Sequence, residues 1–133
     1  VSWGLSLDEA IRFHGHLGPW LVIGYRAGVL AKSKLEPKDF HDIQCIVRVP
    51  NRIPYSCSID GVQTSACCTL GKGNIVVEDC EGFEFIFINK VSKEVLRLKL
   101  RREVLDRLLS FKSIEEAVDY VKGLKDWELF ELS

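Results

Sequence analysis

At 133 residues, with a net charge of −1 and no Lys/Arg run, the chain is sized for one domain and lacks the basic face from which nucleic-acid binding starts. Its apolar blocks, at 20–23 and 85–88 among others, fall far short of the roughly 18–20 residues that a membrane helix needs. Val1-Ser2-Trp3-Gly4 carries no basic stretch ahead of a long apolar core, so a cytoplasmic protein without a membrane anchor is expected. The sequence contains no Met, and its first residue is therefore not expected to be the translated start. The five cysteines, Cys45, Cys57, Cys67, Cys68 and Cys80, are odd in number and include an adjacent pair, a poor disulfide framework. Cys45 and Cys80 stand beside strand-like sequence and read as buried small hydrophobes.

In chain order, residues 7–13 predict a first helix, with Ser6 as N-cap and Glu9 three residues on in a capping box. His14-Gly15-His16-Leu17-Gly18 breaks that periodicity, and Pro19 suits the first turn of a second helix reaching residue 34. Leu21, Val22, Tyr25, Val29 and Leu30 recur at helical spacing, which makes it a buried central helix. Gly24 and Gly28 share one face, and two glycines in a helix predict the close approach of another element. Residues 43–49 read as a strand and 50–54 as a loop, followed by a helix over 56–68 capped by Ser56 or Ser58. Leu70-Gly71-Lys72-Gly73-Asn74 is a glycine-rich turn, followed by strands at 75–78, 83–89 and 95–100. Two amphipathic helices, 101–110 and 114–124, close the chain, the second capped by Ser113 with Glu116 at N3. Helices, then consecutive strands, then helices predict an α+β fold: a mainly antiparallel sheet packed with the buried helix and flanking helices.

Chemistry-bearing residues gather in two segments. Residues i and i+2 of a turn project to one side, so His14 and His16 could converge on one ion. Cys57 and Asp60, three apart, share a face at the start of the third helix, where the helix dipole favours thiolate over thiol. A thiolate with imidazoles suits a divalent transition metal, zinc foremost, and two or three protein ligands leave a coordination position open for a small molecule. The expected metal ligands are thus His16, Cys57 and His14. His14 doubles as a proton carrier, and Asp60 orients a ligand or a water. Cys68 lies 11 residues beyond Cys57, about 16 Å along a continuous helix, so it is expected to serve a separate pocket or to face a partner. Lys72 could neutralise an anionic substrate group in the glycine-rich turn, while His41 and the charged stretch 90–102 read as solvated surface.

Phe13-His14-Gly15-His16 with Pro19, together with Cys57-x-x-Asp60-x-x-Gln63 and Cys68-Thr69-x-Gly71-Lys72-Gly73-Asn74, resembles the formylmethanofuran dehydrogenase E-subunit family. The likeness extends more loosely over residues 7–100, including Gly24-Tyr25-Arg26. It implies an α+β core that pairs as a homodimer, with the His/Cys pocket as its active site and His14, Asp60, Lys72 and Cys68 as candidate catalytic residues. It further implies one-carbon, formyl-level metabolism and, as a second reading, an accessory component or metal carrier docking on a larger molybdenum or tungsten dehydrogenase. The chain departs from the family in two places. Gly18 stands where a His-Gly-His-x-Cys-Pro pattern has Cys, so either a ligand or reactive thiol is lost or Cys67 or another group substitutes for it, and no paired Cys-x-x-Cys motif follows Cys80 to build the zinc ribbon of many members. A thiol sensor at Cys67 and Cys68 is a third reading, disfavoured because adjacent cysteines close only a strained ring.

Overall fold

Ser6 begins the first element as the sequence predicts: its hydroxyl accepts from the Glu9 N–H at 3.2 Å, and the Glu9 carboxylate accepts from the Ser6 N–H at 2.9 Å. In this computed structural model, residues 3–133 are described; Val1 and Ser2, part of the segment read above for a signal, lie outside the described residues. The capped helix is α1 (Leu7–His14), closed by Gly15 at φ 112°, a left-handed conformation that glycine adopts without a Cβ clash. Pro19 opens α2 (Pro19–Leu35), the buried central helix, whose Leu21, Ile23, Ala27 and Ala31 are fully enclosed. Val29 departs from the expected stripe and faces solvent.

Next come β1 (Ile43–Val49), α3 (Cys57–Ala66), β2 (Ile75–Asp79), β3 (Glu84–Asn89) and β4 (Val95–Leu100). The C-terminal part holds α4 (Arg102–Leu108), α5 (Ile114–Gly123), α6 (Asp126–Leu129) and β5 (Phe130–Leu132). The strands form one sheet in the order β2-β1-β3-β4-β5. Every pairing is antiparallel except β1 with β2, which run parallel across the α3 crossover. The fold is therefore α+β with a mainly antiparallel sheet, though it embeds a β-α-β unit that the linear reading did not foresee. The elements α6 and β5 were also unforeseen, because four- and three-residue elements are too short to show a period. Among the described residues, no helix is long and apolar enough to cross a membrane.

The closest helix contact is α2 against α3, and glycine makes it. A Cβ on Gly24 would overlap the Ser58 carbonyl, one on Gly28 the Ser65 hydroxyl, and one on Gly61 the backbone at Leu21 and Tyr25. The two helices thus run side by side in the same direction, and the first turn of α3 is held against the first turns of α2. Two further ties complete the frame. The Tyr25 hydroxyl donates to the Leu5 carbonyl at 2.7 Å, pinning the lead-in to α1. The Arg26 guanidinium donates to the Val121 carbonyl at 2.7 Å and to Asp126 at 3.0 Å, pinning the end of α5 and the start of α6.

Candidate metal centre

Three chain segments meet because of that frame. His14 is the last residue of α1, His16 follows the Gly15 turn, and Cys57 is the first residue of α3. The two imidazole rings lie 4.7 Å apart, and one ligating atom from each of His14, His16 and Cys57 falls within 4.8 Å of the others. The expectation that the two histidines and Cys57 converge is met in the geometry. Asp60, one turn into α3, takes a specific part: its Oδ2 lies 2.5 Å from His14 Nδ1. A carboxylate accepts and does not donate, so Nδ1 carries the hydrogen and the lone pair of a neutral ring sits on Nε2. Asp60 therefore orients His14 itself. Gln63 extends the chain, donating from Nε2 to Asp60 Oδ1 at 3.3 Å and accepting from the Leu70 N–H at 3.0 Å.

His14 Nε2 is buried and has no hydrogen-bond partner. Among the described residues two other buried side-chain atoms share that condition, but neither has ligand chemistry: Trp3 Nε1 carries a hydrogen, and Arg48 Nε stands 3.2 Å from Glu78. A buried acceptor left unpaired costs about 1–3 kcal/mol, which a metal ion would remove. Two imidazoles and a thiol are the donor set that zinc and its borderline neighbours prefer, and the carboxylate behind a ligating histidine is the usual outer support. The residues present fit a metal ion.

Cys57 corrects one expectation. Its half-buried position pushes the thiol above its ordinary pKa, the Asp60 carboxylate adds to the rise, and a backbone hydrogen bond offsets only part of it. The helix start therefore does not favour thiolate on balance in the metal-free protein.

A cavity of about 420 Å³ opens beside the cluster, lined by His14, His16 and Cys57. Trp20 and Tyr55 form part of its wall, in edge contact at 5.0 Å and both packed on Phe83. More of the wall comes from the end of α4, the start of α5 and the turn between them, with Leu108, Phe111, Lys112 and Ile114. None of these wall residues was singled out from the sequence as part of a site. Apolar residues in amphipathic helices read as core, and it is their core packing together with the Arg26 tie that brings those helices here.

Lys72 and Cys68 are placed elsewhere, and neither lines the cavity. The helix ends at Ala66, with Cys67 left-handed at φ 55°, so Cys68 falls beyond it. Cys68 is fully buried in the core, its sulfur 3.7 Å from the Ile43 carbonyl, and burial pushes its pKa to about 12. It is neither a pocket thiol nor one that faces a partner. The Lys72 ammonium donates to the Cys67 carbonyl at 2.5 Å and to the Thr69 hydroxyl at 2.9 Å, so it serves the loop. Cys67, the offered substitute for a cysteine at position 18, sits at the far end of α3 from Cys57. Cys45 is buried as expected, whereas Cys80 is only half-buried and its sulfur accepts from the Gly82 N–H at 3.4 Å. His41 lies in an exposed loop, as read.

Fold and site together define a class: an α+β protein whose His/His/Cys cluster, able to hold a metal ion, borders a cavity sized for a small molecule. The chain belongs to the FmdE family, described as molybdenum formylmethanofuran dehydrogenase operon, whose model matches residues 13–130. It is also similar to a probable S-adenosyl-L-methionine-binding protein of Archaeoglobus fulgidus, at 28% identity over 115 residues. That match covers 82% of this chain, while the chain spans only 30% of the relative's length.

Proposed function

We propose that this protein is a small metal-binding protein in which His14, His16 and Cys57 hold a divalent transition ion, zinc foremost, beside a pocket for a small molecule of one-carbon, formyl-level metabolism. The single observation that carries the metal reading is the buried, partnerless Nε2 of His14. Such an ion supplies Lewis acidity at a coordination position that the three protein ligands leave open. The protein's own groups do the positioning. Asp60 fixes the tautomer and the ring plane of His14, Gln63 fixes Asp60, and Gly18 leaves room beside His16. The wall of Trp20, Tyr55 and Leu108 excludes water from a bound molecule.

The formyl-level assignment draws on the family, and with it come a cytoplasmic location and a homodimer. The sheet face turned away from the helices supports pairing: Val76, Ile46 and Ile86 form one cross-strand row, with Ile86 buried yet outside the core cluster. A second reading, an accessory component or metal carrier on a larger molybdenum or tungsten dehydrogenase, is favoured by the operon from which the family takes its description.

Elemental analysis of the purified protein tests the first reading. A stoichiometric transition metal that is lost in a His16→Ala/Cys57→Ala variant supports it, and a metal-free protein with an unchanged variant sinks it. Co-purification from native extract tests the second, which predicts a stable complex with a large dehydrogenase.

A further inference from the structure

We propose that the molecule taken by this cavity is a small organic monoanion with an apolar body, a carboxylate on an aliphatic or aromatic skeleton, with its charge set against Lys112. This deepens the reading of the pocket as a small-molecule site and rests on it. Size comes first: about 420 Å³ is in the range that encloses ordinary small organic ligands. Away from the His/Cys cluster the lining is apolar, and much of it faces open solvent. Leu109 is 65% exposed and Ile114 57% exposed, so a hydrocarbon body laid across them removes apolar surface from water on both partners.

Charge selects the rest of the ligand. Among the described residues no Asp or Glu lines the cavity, and Lys112 is the one Lys or Arg that does. Its ammonium makes no ion pair among the described residues. The nearby carboxylates are directed to other groups: Asp60 to His14 at 2.5 Å, beside the histidines. Glu116 is engaged by the Ser113 hydroxyl at 3.0 Å, Glu115 is exposed and outside the lining, and the Arg107 guanidinium lies over the Phe111 ring at 5.0 Å. A cationic ligand would meet Lys112 with no carboxylate in the lining to hold it, and a polyphosphate would need several cations where the lining gives one. An apolar monoanion matches both the walls and the charge.

The test is calorimetric titration of the full chain with phenylbutyrate and with its neutral counterpart phenylbutanol, the metal content of each sample being measured alongside. The acid is expected to bind about tenfold tighter than the alcohol. Lys112→Gln should abolish that preference and Lys112→Arg should keep it, both with unchanged metal content and unchanged melting, since Lys112 is exposed and outside the ligand cluster. Equal binding of acid and alcohol by the unaltered protein overturns the proposal. So does a preference that survives Lys112→Gln but disappears when a chelator strips the metal, because the carboxylate then sits on the ion. Metal-free protein that still prefers the acid through Lys112 supports this inference while removing the metal reading. Metal-replete protein without the preference does the reverse.

Discussion

At the N-terminal end of α3, Cys57 clusters with two histidines beside an open cavity; at its C-terminal end, Cys67, Cys68 and Lys72 belong to a loop whose polar groups bond one another. Both ends carry cysteine with other polar side chains, and both looked like sites. The difference lies in what remains unspent. In the loop, Asn74 accepts from the Thr69 N–H and donates to the Phe40, Ile43 and Cys67 carbonyls, while Lys72 ties Cys67 to Thr69. At the other end, His14 keeps a buried nitrogen with nothing to bond. Residues that close on each other build structure, and residues left with free valence build sites.

Substitution at the two ends should separate those roles. Cys57→Ala should bring the metal content near zero while changing the fold little, since Cys57 is only half-buried. Lys72→Met should leave the metal content unchanged. Equal metal loss in both variants would erase the distinction between the ends. The next largest effect is expected in the loop: Asn74→Ala strands several buried backbone groups and should lower stability by about 3 kcal/mol, read as a shifted urea midpoint, with full metal occupancy. Asp60→Asn should act at the cluster instead. It replaces the carboxylate acceptor behind His14 and should weaken metal binding by about 10–100-fold in a chelator competition, with little change in the urea midpoint.

Much of this arrangement was legible in the sequence, for reasons that show where legibility stops. Ser6 and Glu9 announced α1, Pro19 announced α2, and Gly24 with Gly28 announced a tight helix contact, because each of these acts through neighbours a few residues away. The pairing of His14 and His16 with Cys57 followed from residue chemistry and the family pattern. What could not be read was where each polar group's partners are. Lys72 and Cys68 looked available because their partners, the Cys67 and Ile43 carbonyls, are backbone atoms with no signature in the sequence. The second wall of the cavity was hidden for a related reason. Leu108, Phe111 and Lys112 reach the site through long-range contacts, core packing of Leu108 and Val121 and the bond of Arg26 to Val121, 95 residues away. The parallel pairing of β1 and β2 likewise depends on the path of α3 between them.

Gly18 offers the finest adjustment of the same contrast, because it adds a donor to the unfinished end. Its backbone is extended, at φ −147° and ψ 163°, a conformation open to any residue, so a side chain there carries no strain. A Cβ at this position would lie 3.5 Å from His16 Cε1 and 3.7 Å from Nδ1, in ordinary contact with the ring, and the residue lines the cavity. A cysteine at this position would therefore carry its sulfur beside the His16 ring, at the edge of the cavity. Gly18→Cys is expected to tighten metal binding about tenfold, since a fourth protein donor raises affinity and holds its place without rearrangement. It should at the same time weaken the binding of small molecules that coordinate the ion, because the open position is then filled. Chelator competition and ligand titration on one preparation read both effects. Tighter metal binding with undiminished ligand binding would mean that the small molecule never touches the ion and is held by the apolar walls and Lys112 alone. Unchanged metal affinity would mean that the space beside His16 does not adjoin the ion.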